Sequence, residues 1–382
     1  MNNVRLYGRT LGESSHVQVT RGFELALRDM LAGIVALDHQ ALDDDEDIPL
    51  PGGAEAKHAV FTGPLNMVDI MHKNVRHERR WAMVAPNSNR LPDRLLAQLC
   101  GACDVLMAPS EWARLVIEQE IRRCWEAAKA ASWQSAPTTT TLTVPHGVHP
   151  DFALQADQRA LRAQEFLHGN KFRVLHMSTS DRQRKGTVQL VQAWSLLEKK
   201  RLLPGNAQLV LALDAGAMTS FRVWAADDEI DLPSSMTTVG RMNLPPADMG
   251  KWLAQFHVVC QPSRGEGFGL CPLESRVCGV PIVVTGCTGH SEWAPKPPEG
   301  LAVGAAYVAQ GCVVIAHGED EPIDDLPGAL APGVTAESVA QGLEASVDNW
   351  AALNEESSAF AADVKRDWAW EKVLGALRER LV

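Results

Sequence analysis

At 382 residues, 46% of them hydrophobic, the chain is long enough to bury a substantial core and to divide into two domains. Its formal net charge of −11 argues against general, sequence-independent binding to nucleic acid, while leaving room for a local basic surface. No apolar run approaches the roughly 20 residues of a membrane span and MNNVRLYGRT lacks a signal-peptide core, so a soluble, cytoplasmic chain is expected.

Eight cysteines are scattered without a framework, and the single Cys100-x-x-Cys103 has no matching pair, so reduced thiols are expected rather than disulfides or a zinc site. Val4 to Tyr7 reads as a first strand, followed by a loop from Gly8 to His16 and a helical pattern from about Val17 to Leu31 ending near Gly33. Strand, glycine-bearing loop and helix open a doubly wound domain, and Ile34 to Leu37 supplies its second strand. The acidic run Asp43 to Asp47, bounded by Pro49 and Pro51, reads as a solvated loop with no metal role. Between Met71 and Leu95 the balance reverses: Lys73, Arg76, Arg79, Arg80, Arg90 and Arg94 against Glu78 and Asp93 leave a local +4, and the rest of the chain carries −15. An exposed basic helix face and a surface for an anionic partner both fit that pattern. Ser110 is a natural N-cap for the helix that follows it.

Residues 151–170 carry mixed charges and no strand pattern, and read as a linker with a lead-in helix. The domain boundary is accordingly expected near residue 160. Phe172 to Met177 starts a second sheet, Gln208 to Leu213 continues it, and Cys312 to Ile315 is a late strand. Helical patterns run from about Thr335 to the end, where RDWAWEKVLGALRERL places Trp368, Trp370, Val373 and Leu374 on one apolar face.

The chemistry concentrates between Phe256 and Trp293, FHVVCQPSRGEGFGLCPLESRVCGVPIVVTGCTGHSEW. His257 to Cys260 is a buried strand by pattern, and Pro281 to Val284 is another. Between them Gly265, Gly267 and Gly269 let backbone approach a ligand, and a helix begins near Leu270 with Pro272 in its first turn, leaving N–H groups for phosphate. Glu266 and Glu274 flank this anion site. A phosphate cradle with acids on both sides suits a sugar nucleotide.

In GEGFGLCPLE the two glutamates, with the following TGCTGHSEW, resemble the signature of retaining nucleotide-sugar glycosyltransferases of the family-four type. That resemblance covers the last 240 or so residues well and the first 140 loosely. It implies an α/β GT-B fold, two Rossmann-like domains facing a cleft: an acceptor-side domain 1–160 with a C-terminal helix 366–382 returning to it, and a nucleotide-sugar domain 161–365. By resemblance Glu274 binds the donor ribose and Glu266, the catalytic residue, lies at the transferred sugar. Gly267, Phe268, Gly269 and Leu270 cradle the diphosphate, and Lys185 matches the family's phosphate lysine. The family's arginine position falls on Thr179, leaving Arg182 or Arg184 as substitutes, and Arg241 in TTVGR is placed near the base or its phosphate. On the acceptor side the resemblance points to Gly12, Glu13, Ser14, Asn87 and Ser88, and the basic patch adds Arg76. His72 and His77 are candidates for a cleft histidine.

The implied reaction is retaining transfer from a nucleoside-diphosphate sugar, UDP- or GDP-linked, to a hydroxyl acceptor, with no metal and no cofactor. Two alternatives stand beside it. One is a DNA glycosyltransferase acting on a hydroxylated base through the patch 73–94, which would need base flipping. The other is a nucleotide-sugar-binding protein without turnover.

Overall fold

The computed structural model describes residues 3–9, 15–36, 56–63, 77–130, 138–169, 171–179, 181–227, 230–240, 242, 244–322 and 329–382. The chain forms two compact units, Met1–His149 with Trp368–Val382, and Pro150–Asp367.

In the first unit six strands, β1 (Val4–Gly8), β2 (Leu31–Ala36), β3 (His58–Phe61), β4 (Arg79–Met83), β5 (Val105–Ala108) and β6 (Thr140–Thr143), run in the order β2-β1-β3-β4-β5-β6. All neighbours are parallel. β1, β3 and β5 are buried along their whole length; β5, VLMA, is accordingly apolar throughout, while β1 and β3 each bury one polar residue, Arg5 and His58, in an otherwise apolar run. The first helix is Ser15–Leu27, and β2 starts at Leu31, where the periodicity had suggested helix as far as Gly33. Met30 and Leu31 are apolar because they enter the sheet: the Val4 amide donates to the Met30 carbonyl at 3.1 Å and Val4 pairs with Leu31.

The C-terminal residues also differ from expectation. They form two short helices, Trp370–Val373 and Gly375–Arg380, in place of one continuous amphipathic helix. Backbone at 368–369 is committed elsewhere, since the Val148 amide donates to Trp368 O at 2.7 Å and Val148 bridges Ala369. Trp370 is buried and fills the space left by two glycines: a Cβ on Gly147 would stand 2.7 Å from its ring, and one on Gly22 closer still. Phe23 and His146 flank the indole with ring centroids 6.0 Å away on each side.

The second unit holds β7 (Lys171–Ser178), β8 (Asn206–Leu213), β9 (Met236–Gly240), β10 (Val258–Gln261), β11 (Ile282–Thr285), β12 (Ala306–Ala309) and β13 (Cys312–Ile315), in the order β12-β13-β11-β10-β7-β8-β9. Only β12 is antiparallel to its neighbour. A separate hairpin pairs β14 (Asp320–Pro322) with β15 (Leu330–Pro332). Its core gathers Phe172, Trp194, Val258, Val283, Val313 and Trp350. The helix Ala156–Gly169 belongs to this unit, so the division falls at residue 150 and not near 160. The buried Arg162 explains why: it donates to Ala254 O at 2.5 Å, to Gly279 O at 2.7 Å and to Asn354 Oδ1 at 3.1 Å. Those are strong donors to neutral acceptors, so the helix is held by geometry rather than by ion pairing.

In this sheet β7, β8 and β9 step away on one side while β10, β11 and β13 step away on the other. The order reverses between β7 and β10, which pair directly. Ligands of open α/β sheets bind outside the carboxyl ends of strands at such a reversal. The loops leaving β7 and β10 are therefore where chemistry is expected.

Candidate active site

The loop after β7 winds through Asp181–Gly186, closed by the Lys185 amide on Asp181 O at 3.1 Å. Gly186 has φ +67, and a Cβ there would stand 2.9 Å from Pro262 C and closer to Pro262 O. Only glycine lets this loop meet the loop after β10. The two are then sewn together, with the Arg264 amide on Arg184 O at 2.7 Å and Arg184 Nη1 on Gly265 O at 2.8 Å.

This stitching brings Lys185 Nζ to 2.5 Å from Glu266 Oε1. The same oxygen accepts from Ser263 Oγ at 2.9 Å and lies 3.7 Å from Arg184 Nη1. Burial alone would raise the Glu266 carboxyl, but Lys185 and Arg184 outweigh it and hold the group down at about 2. Glu266 is thus a fixed anion at neutral pH. Its backbone is fastened as firmly: its amide donates to Thr288 Oγ1 at 3.1 Å and its carbonyl accepts from Gly289 N at 2.8 Å. A Cβ on Gly289 would stand 2.5 Å from Gly267 C, so this turn too requires glycine for close approach.

Gly269, at φ +87, turns the chain into the helix Leu270–Val277, and no side chain caps that end. Pro272 lies in the first turn, where a missing N–H costs nothing. Phe268 is buried, its carbonyl accepting from Trp293 Nε1 at 2.8 Å. Glu274 lies on the helix, half-buried. The second unit thus gathers Lys185, Glu266, the Gly267–Leu270 segment and Glu274 at one strand-order reversal.

Other sequence candidates fare differently. Arg184 braces the loops: Asp181 Oδ2 holds its Nε at 2.5 Å while its Nη1 is on Gly265 O. Arg182 is half-buried on the same turn. Thr179, at the family's arginine position, accepts from the Asp181 amide at 3.4 Å and shapes the turn. Ser88 is buried and closes its own turn with Arg90, its Oγ donating to Arg90 O at 3.0 Å, and Asn87 is exposed beside it. His77 lies just before β4, where its Nε2 accepts from the Tyr7 hydroxyl at 3.0 Å and its Nδ1 donates to Ala56 O at 2.7 Å. Gly12, Glu13, Ser14, His72, Arg76 and Arg241 lie outside the described residues.

The basic run 73–94 does not form one surface among its described members. Arg79 and Arg80 stand at the start of β4, whereas Arg90 and Arg94 follow its far end. From Arg79 to Met83 the strand spans about 13 Å. Arg80 is also paired with Asp104 at 3.5 Å, Arg90 lies 3.9 Å from Glu120, and Arg79 sits over the Trp81 ring at 5.2 Å. The charge run therefore lends no support to a polyanion track.

Sequence reasoning missed a polar layer behind the site. His176, fully buried in β7, bonds Cys260 O at 2.8 Å and Thr187 Oγ1 at 2.9 Å, and Ser178 Oγ adds a 2.6 Å contact to Thr187. Burial pushes His176 down to about 4, so the ring is neutral there. A histidine inside the apolar run FRVLHMS was the available signal.

The two doubly wound units have the architecture of the GT-B fold. Solved structures share the fold: Anabaena HepE in complex with UDP and glucose, at TM-score 0.66, 12% identity and coverage of 100% of this chain and 99% of that one, and sucrose-phosphate synthase of Thermosynechococcus elongatus, at 0.66, 15% and the same coverage. Within that fold class the chain belongs to the family described as family 4 glycosyltransferase in conflict systems, which residues 127–377 match. Among curated proteins it is similar to the D-inositol 3-phosphate glycosyltransferase of Arthrobacter sp. (strain FB24), 29% identical over 204 residues, which is 52% of this chain and 46% of that protein. The chain spans about half the length of the curated relatives it matches. No helix among the described residues is long and apolar enough to cross a membrane.

Proposed function

We propose that this chain is a retaining glycosyltransferase that moves a sugar from a nucleoside diphosphate, UDP in the first instance, to a hydroxyl acceptor without a metal ion. The observation that carries the reading is the 2.5 Å approach of Lys185 to Glu266 where the strand order reverses, beside the glycine-turned helix start. The diphosphate sits on the N–H groups around Gly269 and on Lys185, which meets the charge that grows on the leaving phosphate. Glu274, on the helix Leu270–Val277, takes the ribose hydroxyls. Glu266 is too firmly ionised to give up a proton as a general acid. It accepts hydrogen bonds from the transferred sugar and faces the positive charge that develops at the anomeric carbon. The leaving phosphate itself receives the acceptor's proton, so the acceptor attacks from the side the phosphate leaves and configuration is retained.

UDP is the favoured nucleotide because fold neighbours carry it, including the E. coli trehalose-6-phosphate protein bound to UDP-2-fluoro glucose, at TM-score 0.61 and 13% identity. The names of the curated relatives make a phosphorylated cyclic polyol the first acceptor to assay. The test is a screen of UDP-, GDP-, ADP- and dTDP-sugars in EDTA, with and without inositol phosphate, following diphosphate release and the anomeric proton coupling of any product by NMR. An axial glycosidic product from an α-linked donor, formed in EDTA, is expected. An inverted product or strict metal dependence overturns the mechanism, and tight donor binding with no turnover replaces it with a binding-protein reading.

A further inference from the structure

The turn after β11 carries a side chain that the reaction scheme above does not use. His290 is 1% exposed, within the 3-10 turn Thr288–Glu292. Thr285 Oγ1 donates its single hydrogen to Ser263 O, so toward His290 Nδ1, 3.5 Å away, it is only an acceptor. Nδ1 therefore carries the imidazole proton and Nε2 presents a lone pair, an assignment made from the network. Burial pushes His290 down to about 4, against the pull of Glu266, so the ring is neutral at pH 7.

That Nε2 is buried without a hydrogen-bond partner among the described residues. Buried polar atoms left unpaired are uncommon and call for a reason. Here the ring edge faces bare backbone in place of a donor: a Cβ built on Gly269 would stand 2.6 Å from Nε2, and closer to Cδ2. The imidazole thus occupies the volume that a side chain at 269 would fill. It is itself held edge-on to Trp293, with centroids 5.3 Å apart at 62°, and Trp293 donates to the Phe268 carbonyl beside Gly269.

We propose that His290 is a positioning residue of the donor site, its neutral ring edge seating Gly269 in the left-handed backbone that starts the helix Leu270–Val277 and so aiming that end at the diphosphate. The inference rests on the donor-site reading and adds a residue to it. His290 acts through Gly269 and touches no reacting atom.

The test is a double-mutant cycle on the full chain, read by calorimetric titration with UDP, GDP and ADP and by thermal melting. His290→Ala should keep the fold and weaken the nucleotide that wild type binds by about tenfold or more, while His290→Gln, which refills the volume, should return to within about threefold of wild type. Gly269→Ala alone should cost about 30-fold, from the clash of its Cβ with the ring together with the left-handed φ, and in the His290→Ala background, where only the φ cost remains, the added loss should shrink to about 5-fold. Additive losses, or unchanged affinity in His290→Ala, overturn the proposal while leaving the donor site standing. If wild type binds none of the three nucleotides, the donor-site reading itself fails, and this inference with it. Should His290→Ala not fold, a cycle of Gly269→Ala with His290→Asn, whose shorter side chain also leaves room beside Gly269, decides in its place, additivity again counting against the proposal.

Discussion

Replacing Glu266 by glutamine should separate binding from turnover, with opposite signs. In the free protein the Glu266 carboxylate stands 2.5 Å from Lys185 Nζ. A phosphate oxygen bonded to the same ammonium would sit about 2.8 Å from it, which puts two anions within roughly 5 Å of each other. At effective dielectric constants between about 80 and about 20 that repulsion is about 1 to 3 kcal/mol. Glu266→Gln removes it at nearly constant volume, so UDP should bind between about 5-fold and about 150-fold more tightly. Turnover moves the other way, because the fixed anion facing the reacting sugar is gone, with an expected loss of about 100-fold or more. Calorimetry with UDP and a diphosphate-release assay on saturating UDP-sugar read the two effects separately. Weaker UDP binding in Glu266→Gln, or turnover near wild type, would refute the placing of both phosphate and sugar at this pair.

Other consequences can be measured on the same protein. Glu266 is held at about 2 against an ordinary 4.5, so its contribution is full above about pH 4.5 and is lost as pH falls toward 2, on the order of 3 kcal/mol. His176 and His290 are held near 4 against 6.5, so each favours the fold above about pH 6.5 and withdraws that support as pH falls toward 4. Melting temperature should therefore decline from about pH 6.5 downward, and Glu266→Gln should flatten the part below about pH 4.5; a curve flat from pH 7 to 4 contradicts the assigned neutral histidines. Arg162→Leu leaves the Ala254 and Gly279 carbonyls and Asn354 without their donor, and denaturant melts should show a loss of about 3 kcal/mol or more from the second unit. Trp370→Ala empties the space between Gly22 and Gly147 and should cost the first unit about 3–5 kcal/mol, a loss below about 1 kcal/mol arguing against the described packing.

Much of the fold was readable because fully buried parallel strands are written as short apolar runs, as in VLMA at β5 and IVVT at β11. The loop after β10 was readable for a related reason: its glycines, Pro272 and two glutamates are neighbours in sequence, and Gly269 is required by the left-handed φ of +87 that starts the helix. What could not be read depended on distant partners. Arg184 carries the same charge whether it meets a phosphate or braces Gly265, and only the fold places that carbonyl beside it. The basic run could not be resolved into one face from sequence, because a strand carries its two ends to opposite ends of the sheet, with Arg79 and Arg80 at the start of β4 and Arg90 and Arg94 beyond its other end. The domain boundary was placed late because the helix Ala156–Gly169 is fixed by Arg162 to carbonyls about a hundred residues away. His290 was visible in GHSEW, but its role follows from the empty side of Gly269, which a sequence does not display.

The central claim is that a nucleoside diphosphate is held where Lys185 meets Glu266. It is tested most directly by titrating UDP, GDP, ADP and dTDP, in EDTA, into the wild-type chain and into Lys185→Ala. One nucleotide should saturate wild type at one per chain and lose about 100-fold or more in affinity with Lys185→Ala, since a charge-assisted contact to phosphate is removed. Equal binding to the two proteins, or no binding to either, would contradict it.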